Sequence, residues 1–332
     1  MCFPRDGTSI SGVSENFEVN NMTKVTSSVP EARKPLLRKG SLEYRDSIWG
    51  YAFIMPMFIG FLIFTVAPVI ATFAFSVTDK NMMTRTVDFI GFENYIKLFS
   101  DKTFIATLWQ TLEFTVLLLP LNLCLSLALA FLLKDSFKGC GFFRTSVFTP
   151  VVISIVVWGL LWKYIFQTDN GLINATLKLI GIQGPAWLMN ADLAIPVAVF
   201  VTLIKGIGMN MIIFIGALLD VPEEYLESAY LDGAGKIRQF FSITVPNIAP
   251  SIFLVLILTT INSLKVFGQI RVLTNGGPGT SSYVMVYYIY QMAFRNYKFG
   301  YASAASVILF LLIVALTLLQ WKMRKRWVYH ED

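Results

Sequence analysis

Long apolar stretches separated by short polar segments dominate this chain of 332 residues. A helix needs about 20 consecutive apolar residues to cross a hydrocarbon core roughly 30 Å thick. Six stretches are long enough, and they lie near residues 48–76, 107–133, 143–166, 192–219, 248–272 and 299–321. Because lipid offers no partner to backbone N–H and C=O groups, such stretches must be helices. The pattern therefore predicts an all-α integral membrane protein with six transmembrane helices.

Composition agrees with this class. Charged residues make up 14% of the chain and the mean hydropathy is +0.62, whereas soluble domains are about one quarter charged. The start of the chain is rich in Ser, Thr, Asn and Val without helical periodicity, which predicts a disordered cytoplasmic tail over 1–47. We assign the transmembrane domain to 48–327 and a short cytoplasmic end to 328–332.

Basic residues in short loops indicate the orientation, because they tend to remain in the cytoplasm. They precede the first span, follow the second and follow the last: Arg33, Lys34, Arg38, Lys39, Arg45, Lys134, Lys138, Arg144, Lys322, Arg324, Lys325 and Arg326. We therefore expect both termini, and the loop that carries Lys236 and Arg238, to lie in the cytoplasm. The same asymmetry accounts for the net charge of +6, so no nucleic-acid partner is predicted.

The segment Glu227–Pro246, ESAYLDGAGKIRQFFSITVP, is unusually polar for its place between two apolar spans. Pro222 suits the first turn of a helix, and the acidic residues that follow it complement the positive end of the helix dipole. Gly233 then allows the backbone to turn, and Pro246 is expected to start the next element. We predict two short helices joined by a turn, forming a docking surface within the cytoplasmic loop 220–247.

Several kinds of chemistry have no residues to support them. The single histidine, His330, lies next to the end of the chain, and no pair of cysteines has metal-ligand spacing. The glycine cluster at 276–279 lacks the lysine of a phosphate-binding loop and is interpreted as an external turn. We predict no catalytic residues, no metal site and no bound cofactor. If nucleotide hydrolysis drives this protein, another chain performs it.

The polar segment resembles the signature of permease subunits of bacterial ATP-binding-cassette (ABC) importers. That signature is E-A-A, three residues, G, nine residues, I, one residue, L-P. Its spacing is met at Glu227, Ala229, Gly233, Ile243 and Pro246. Ser replaces the first alanine and Val the leucine, and both are small changes in volume.

Further segments narrow the resemblance to the maltose-type carbohydrate importers. Asp232-Gly233-Ala234 extends the signature as that family has it. Residues 91–95, GFENY, look like its G-x-x-N-Y segment, and residues 273–278, LTNGGP, look like its L-T-x-G-G-P outer turn. The likeness covers roughly residues 48–327, and glycerol-phosphate importers share this subclass.

The resemblance implies a type I importer permease core that works by alternating access in the bacterial cytoplasmic (inner) membrane. The implied partners are a second homologous permease subunit, two ATPase subunits, an extracytoplasmic solute-binding protein and a carbohydrate substrate, within membrane lipid. ATP and Mg would be used by the ATPase subunits. The residues expected to couple this chain to an ATPase are Glu227, Ala229, Asp232, Gly233, Ile243 and Pro246.

Two lysines, Lys205 and Lys265, lie inside predicted spans. A charge there costs about 2.5–3.5 kcal/mol on insertion scales, so it usually faces a partner or a water-filled cavity. In the resembled family these helix regions line the substrate site. The candidates are Thr202, Lys205, Gly206, Thr259, Asn262, Ser263, Lys265 and Phe267. Two ammonium groups would suit an acidic ligand; alternatively each lysine snorkels or meets an acid on the partner subunit.

The residues by themselves, without the resemblance, are compatible with three classes of function. The first is a permease subunit powered by another chain, for oligosaccharides that are neutral or acidic, or for a phosphorylated polyol such as glycerol phosphate. The second is an ion-driven secondary transporter, a class that often shows inverted repeats, whereas no internal repeat is found here. The third is a membrane-embedded enzyme, for which the chain offers no catalytic cluster.

Overall fold

The structure is a computed structural model that describes residues 42–324, except 82 and 84–86. Most of the predicted tail and the segment 328–332 therefore lie outside the described residues. Two compact units are distinguished, Met1–Gly60 and Phe61–Asp332. In the first unit, helix α1 (Leu42–Phe61) begins upstream of the predicted start of the span and extends one residue into the second unit.

The second unit is built from helices. The helices of the membrane-embedded core are α2 (Ala67–Ser76), α4 (Lys102–Leu133), α5 (Cys140–Val152), α6 (Ile155–Ile165), α8 (Ala191–Leu219), α12 (Ala249–Leu264), α13 (Gly268–Leu273) and α15 (Phe299–Arg324). The connecting helices are α3 (Glu93–Ser100), α7 (Leu172–Leu179), α9 (Glu223–Leu231), α10 (Lys236–Gln239), α11 (Val245–Asn247) and α14 (Met285–Tyr290). Single π-helical turns occupy Leu62–Val66, Phe240–Thr244 and Gln291–Arg295.

Five helical stretches among the described residues are long and apolar enough to cross a membrane. They are Trp49–Ser76, Lys102–Leu133, Ala191–Leu219, Ala249–Leu273 and Phe299–Arg324. Helices α5 and α6 together form a sixth candidate that is bent by 103°. These stretches coincide with the six predicted segments, so the all-α membrane fold is confirmed.

The third segment departs from the straight helix expected over 143–166. Its backbone leaves the helical conformation at Ile153 and Ser154, between α5 and α6. A helix that stops leaves its last carbonyl groups without partners. Lys205 of α8 supplies donors to two of them, those of Pro150 and Ile153. The break therefore depends on a contact with another helix, which local periodicity does not reveal.

Helices α4 and α8 form the centre of the second unit, and α12, α5 and α14 also pack against α4. The face of α4 that points inward carries hydroxyl and amide groups as well as apolar ones, including the buried Thr111, Thr115 and Asn122. Asp101 caps the start of α4 by accepting a hydrogen bond of 2.8 Å from the Thr103 N–H. The buried polar residues of α4 lie beside interior side chains of the candidate pathway.

Candidate coupling loop and transport pathway

The predicted polar loop folds as two short helices with a turn between them, which matches the expectation. Helix α9 begins after Pro222 and carries Glu223 and Glu224 in its first turn, where they complement the helix dipole. Helix α10 follows and continues through the π-helical turn into α11. Pro246 lies in the first turn of α11, the next element as expected, and α12 begins at Ala249.

Gly233 determines how α9 ends. Its φ angle is +79°, in the left-handed region that residues with a side chain rarely adopt. The Gly233 N–H donates to the Tyr230 carbonyl at 3.0 Å, and the Ala234 N–H donates to the Ala229 carbonyl at 2.9 Å. This pair of bonds is the Schellman termination of a helix. A Cβ at Gly233 would have open space around it, so the constraint within this chain is backbone conformation.

Large apolar side chains on this loop are left uncovered by the rest of the chain. Tyr230 is 75% exposed, Leu231 85%, Ile237 77% and Phe241 65%. Exposed apolar groups concentrated in one place, with polar residues beside them, are typical of protein interaction sites. These four side chains have no cover within the described part of the chain.

A shallow cavity of about 570 Å³ opens between α9 and α10, and Leu226, Glu227, Tyr230 and Lys236 are among the residues that line it. Its lining is mostly apolar, with the exposed Glu227 carboxylate at its edge. Glu227 is the predicted coupling residue that lines this cavity, and the others do not line it. Asp232 and Pro246 are exposed, and Ala229 and Ile243 are half-buried.

Lys205 lies near the middle of α8, as expected, but its ammonium group contacts this chain's own backbone. The Nζ atom donates to the Pro150 carbonyl at 2.8 Å and to the Ile153 carbonyl at 2.5 Å. It also lies 5.9 Å from the ring centre of Trp158, whose indole N–H donates to the Val201 carbonyl at 3.0 Å. These bonds join α8 to both sides of the break in the third span.

A second polar cluster links three helices in the interior. The Asn210 amide donates to the Asn122 side-chain oxygen and, at 3.4 Å, to the hydroxyl of Thr259. Gly206 lies beside the same cluster, because a Cβ there would come 3.6 Å from the Asn122 amide nitrogen. Thr259 and Gly206 were predicted pathway residues, whereas Asn122 and Asn210 were not. Interhelical amide contacts of this kind are common inside membrane proteins, and their residue type was the only signal in the sequence.

The other pathway candidates fall into two groups. Ser263 and Thr202 use their hydroxyls within the helix bundle: Ser263 bonds with Thr115 at 3.0 Å, and Thr202 donates to the carbonyl of Ala198 in its own helix. Asn262 and Lys265 are exposed, and Lys265 follows the last residue of α12. Phe267 is half-buried, with its ring 5.3 Å from that of Tyr290 and 6.2 Å from that of Tyr287. A role in transport stays a prediction for each of these five residues.

The two loop segments that also carried the family resemblance, 91–95 and 273–278, have clear structural roles. The Asn94 amide donates to the carbonyls of Ser76 and Thr78, each at 2.9 Å, and so ties α3 to the end of α2. In the segment 273–278 the backbone is left-handed at Asn275 and Gly276, and the Tyr287 hydroxyl donates to the Asn275 carbonyl at 2.7 Å. The glycine cluster is therefore a packed turn. Within the described residues no group of three or more His, Cys, Asp or Glu side chains is placed to hold a metal ion.

Comparison with known proteins agrees with these features. Residues 122–328 match the family described as "Binding-protein-dependent transport system inner membrane component". The chain is 34% identical over 285 residues to the probable ABC transporter permease protein YurN of Bacillus subtilis, a match that covers 85% of this chain and 97% of that protein. It is 32% identical to the multiple sugar-binding transport system permease protein MsmF of Streptococcus mutans, again over 85% of this chain and 97% of the relative.

A solved structure shares the fold over most of its length. It is that of a bacterial alginate ABC transporter in complex with an alginate pentasaccharide-bound periplasmic protein. The TM-score is 0.74 at 25% sequence identity, and the match covers 86% of this chain and 96% of the other. With the family match spanning more than half of the sequence, this chain belongs to the inner-membrane components of binding-protein-dependent ABC transport systems, among the sugar permeases.

Proposed function

We propose that this chain is one of two permease subunits of an ATP-driven carbohydrate importer. It forms half of the translocation pathway, receives its substrate from an extracytoplasmic solute-binding protein, and moves in response to two ATPase subunits that bind ATP and Mg. In this proposal the chain itself is not an enzyme. Both termini and the loop 220–247 lie in the cytoplasm of a bacterial cell.

The observation that carries the proposal is the uncovered apolar surface of α9 and α10 at the place where the signature spacing occurs. Leu231 and Ile237 would be costly to leave in water, at about 25 cal/mol for each Å² of apolar surface. Covering these side chains with an ATPase surface removes that cost and so favours docking. The Glu227 carboxylate, which lines the cavity, suits a basic group on the partner. The loop is then the point where movement is transmitted.

Gly233 offers the sharpest test of coupling. Gly233→Leu forces a side chain into the left-handed region, which costs about 1–2 kcal/mol, and it places bulk on the docking surface. We expect the variant to reach the membrane but to show several-fold lower uptake for each ATP hydrolysed. The assay uses proteoliposomes that contain all subunits together with the solute-binding protein.

Two further variants separate conformation from contact. Gly235 has a negative φ and open space around it, so Gly235→Leu is the matched control for bulk on the same loop. Gly233→Asn keeps access to the left-handed region and is expected to restore coupling in part. Normal uptake by Gly233→Leu would contradict the proposal. Transport by this chain alone in an ion gradient would identify a secondary transporter instead.

For the substrate we propose an oligosaccharide. Two proteins similar to this chain are described by a carbohydrate substrate: MsmF is named for multiple sugars, and the solved transporter is named for alginate. The structure gives Lys205 two carbonyl partners, which supports its structural role over that of an anion contact, and leaves Lys265 as the exposed ammonium among the candidates. Identifying the ligand retained by the co-purified solute-binding protein tests this. A neutral oligosaccharide would exclude an acidic substrate, and glycerol phosphate would exclude a sugar.

A further inference from the structure

A second cavity lies far in sequence from the coupling loop and has a different character. It measures about 550 Å³, and its lining is rich in charged groups: the carboxylates of Asp79 and Asp101 and the ammonium groups of Lys80, Lys97 and Lys298. Tyr301 also lines it. None of these residues is among the predicted pathway or coupling positions. A cavity that carries both signs of charge calls for a ligand that carries both.

The position of this cavity relative to the spans is informative. Asp79 follows the first span, which ends at Ser76, while Asp101 and Lys298 directly precede the spans that begin at Lys102 and Phe299. The cavity therefore lies where three spans leave the hydrocarbon core. Polar headgroups occupy this depth, since they extend a bilayer from about 30 Å to about 40–45 Å.

Two of the charged groups, those of Lys80 and Asp101, are held in place by the fold. The Lys80 ammonium lies 3.6 Å from the ring centre of Phe75. The backbone carbonyl of Lys80 accepts a 2.8 Å hydrogen bond from the Gly300 N–H. The Asp101 carboxylate accepts hydrogen bonds from the hydroxyls of Tyr288 and Tyr301, at 2.7 and 3.3 Å. These groups are oriented before a ligand arrives, which reduces the entropy lost on binding.

Other charges at the cavity remain available. Lys97 pairs with Glu93 at 2.8 Å, so its charge is partly neutralised. Among the described residues, neither Lys298 nor Asp79 forms an ion pair. An ammonium is a compact point charge suited to phosphate oxygens, and a carboxylate accepts hydrogen bonds from a primary ammonium. The arrangement thus offers one cationic and one anionic subsite.

We propose that this cavity binds the headgroup of a phospholipid that carries both a phosphate and a primary ammonium group, such as phosphatidylethanolamine. Lys298 and Lys80 contact the phosphate, and Asp79 contacts the ammonium. A lipid with phosphate alone would leave the Asp79 carboxylate without a headgroup ammonium to contact. A trimethylammonium headgroup has no N–H to donate to Asp79.

The test uses the complete transporter complex, delipidated in detergent and titrated with phosphatidylethanolamine, phosphatidylcholine or phosphatidylglycerol. Native mass spectrometry then measures the lipid retained. We expect phosphatidylethanolamine to be preferred, and the double variant Asp79→Asn/Lys298→Gln to lose roughly two- to tenfold of that preference, because exposed charge contacts are individually weak. Lys298→Gln alone keeps the test valid if the double variant does not assemble.

The matched control is Asp169→Asn/Lys178→Gln, which removes the same charges from exposed positions in and near α7. Equal lipid retention by the two double variants would overturn the proposal, as would wild-type protein without headgroup preference. Competition by soluble glycerophosphoethanolamine at equal concentration would show that a free phosphate ester, and not a lipid, is the ligand. Weaker docking of the solute-binding protein with unchanged lipid retention would assign the cavity to that protein.

Discussion

The contact between α5 and α8 depends on a glycine whose substitution has a calculable effect. A Cβ at Gly208 would lie 2.4 Å from the Val147 carbonyl oxygen and 2.9 Å from the Phe148 Cα. Cβ atoms essentially never come within 3.0 Å of such atoms, and here the neighbours are backbone. Gly208→Ala must therefore push the two helices apart by about 0.6 Å to reach even that limit.

The magnitude follows from two opposing terms. Overpacking a well-packed interior costs about 1–3 kcal/mol, whereas alanine is favoured over glycine in a helix by about 0.8–1 kcal/mol. Gly216 provides the matched control, because it lies in the same helix and a Cβ added there would have no neighbouring atom within 4 Å. Both substitutions gain the same propensity, so their difference isolates the packing cost of about 1–3 kcal/mol.

Thermal unfolding of the purified transporter measures this difference. At about 2–4 °C for each kcal/mol, Gly208→Ala is expected to melt roughly 2–12 °C below Gly216→Ala. Uptake should fall as well, because α5 leads directly into the break that Lys205 holds. Equal melting temperatures for the two variants would refute the close packing of α5 on α8.

Two further predictions concern charged groups. Lys205→Met removes two charge-assisted hydrogen bonds worth about 1.5–3 kcal/mol each, and it also removes a mid-span charge that costs about 2.5–3.5 kcal/mol, so the central values of the two ranges give a net loss of about 1.5 kcal/mol. A higher melting temperature would contradict this. Burial alone would raise the pKa of Asp101, but hydrogen bonds from Tyr288, Thr103, Tyr301 and Phe104 outweigh it and lower the pKa below its ordinary value. The stabilisation is therefore complete above the unfolded pKa of about 3.9 and is lost as pH falls through the lower folded pKa. Asp101→Asn should make the melting temperature less dependent on pH in this acidic range, and an unchanged dependence would argue against the carboxylate.

Much of the fold was predictable because membrane helices obey a local rule. Five of the six apolar segments form helices long enough to cross the hydrocarbon core, because lipid leaves an exposed backbone no alternative to helix. The coupling loop was equally local. Gly233 lies in the turn that its residue type favours, and the helix before it ends by hydrogen bonds between residues 229 and 234.

The pathway residues were less predictable, since their roles depend on what lies opposite them. Lys205 was expected to face a ligand, an acid or the membrane surface, and the structure places it against two backbone carbonyls from a helix more than 50 residues away in sequence. Asn210 was not among the predicted pathway residues, yet it joins Asn122 to the predicted pathway residue Thr259. Residue type alone cannot distinguish these partners.

By itself, the sequence determined the membrane class, the order of the apolar segments and the position of the polar loop 220–247, since hydrophobic length, glycine conformation and motif spacing act over short distances. Tertiary structure alone decided that the third span bends by 103° between α5 and α6. It also decided that Lys205 satisfies the carbonyls exposed there, and that charges from three span ends meet in one cavity. Those outcomes depend on which helices pack together. A carbonyl or ammonium group buried in the interior costs free energy unless packing brings a partner to it.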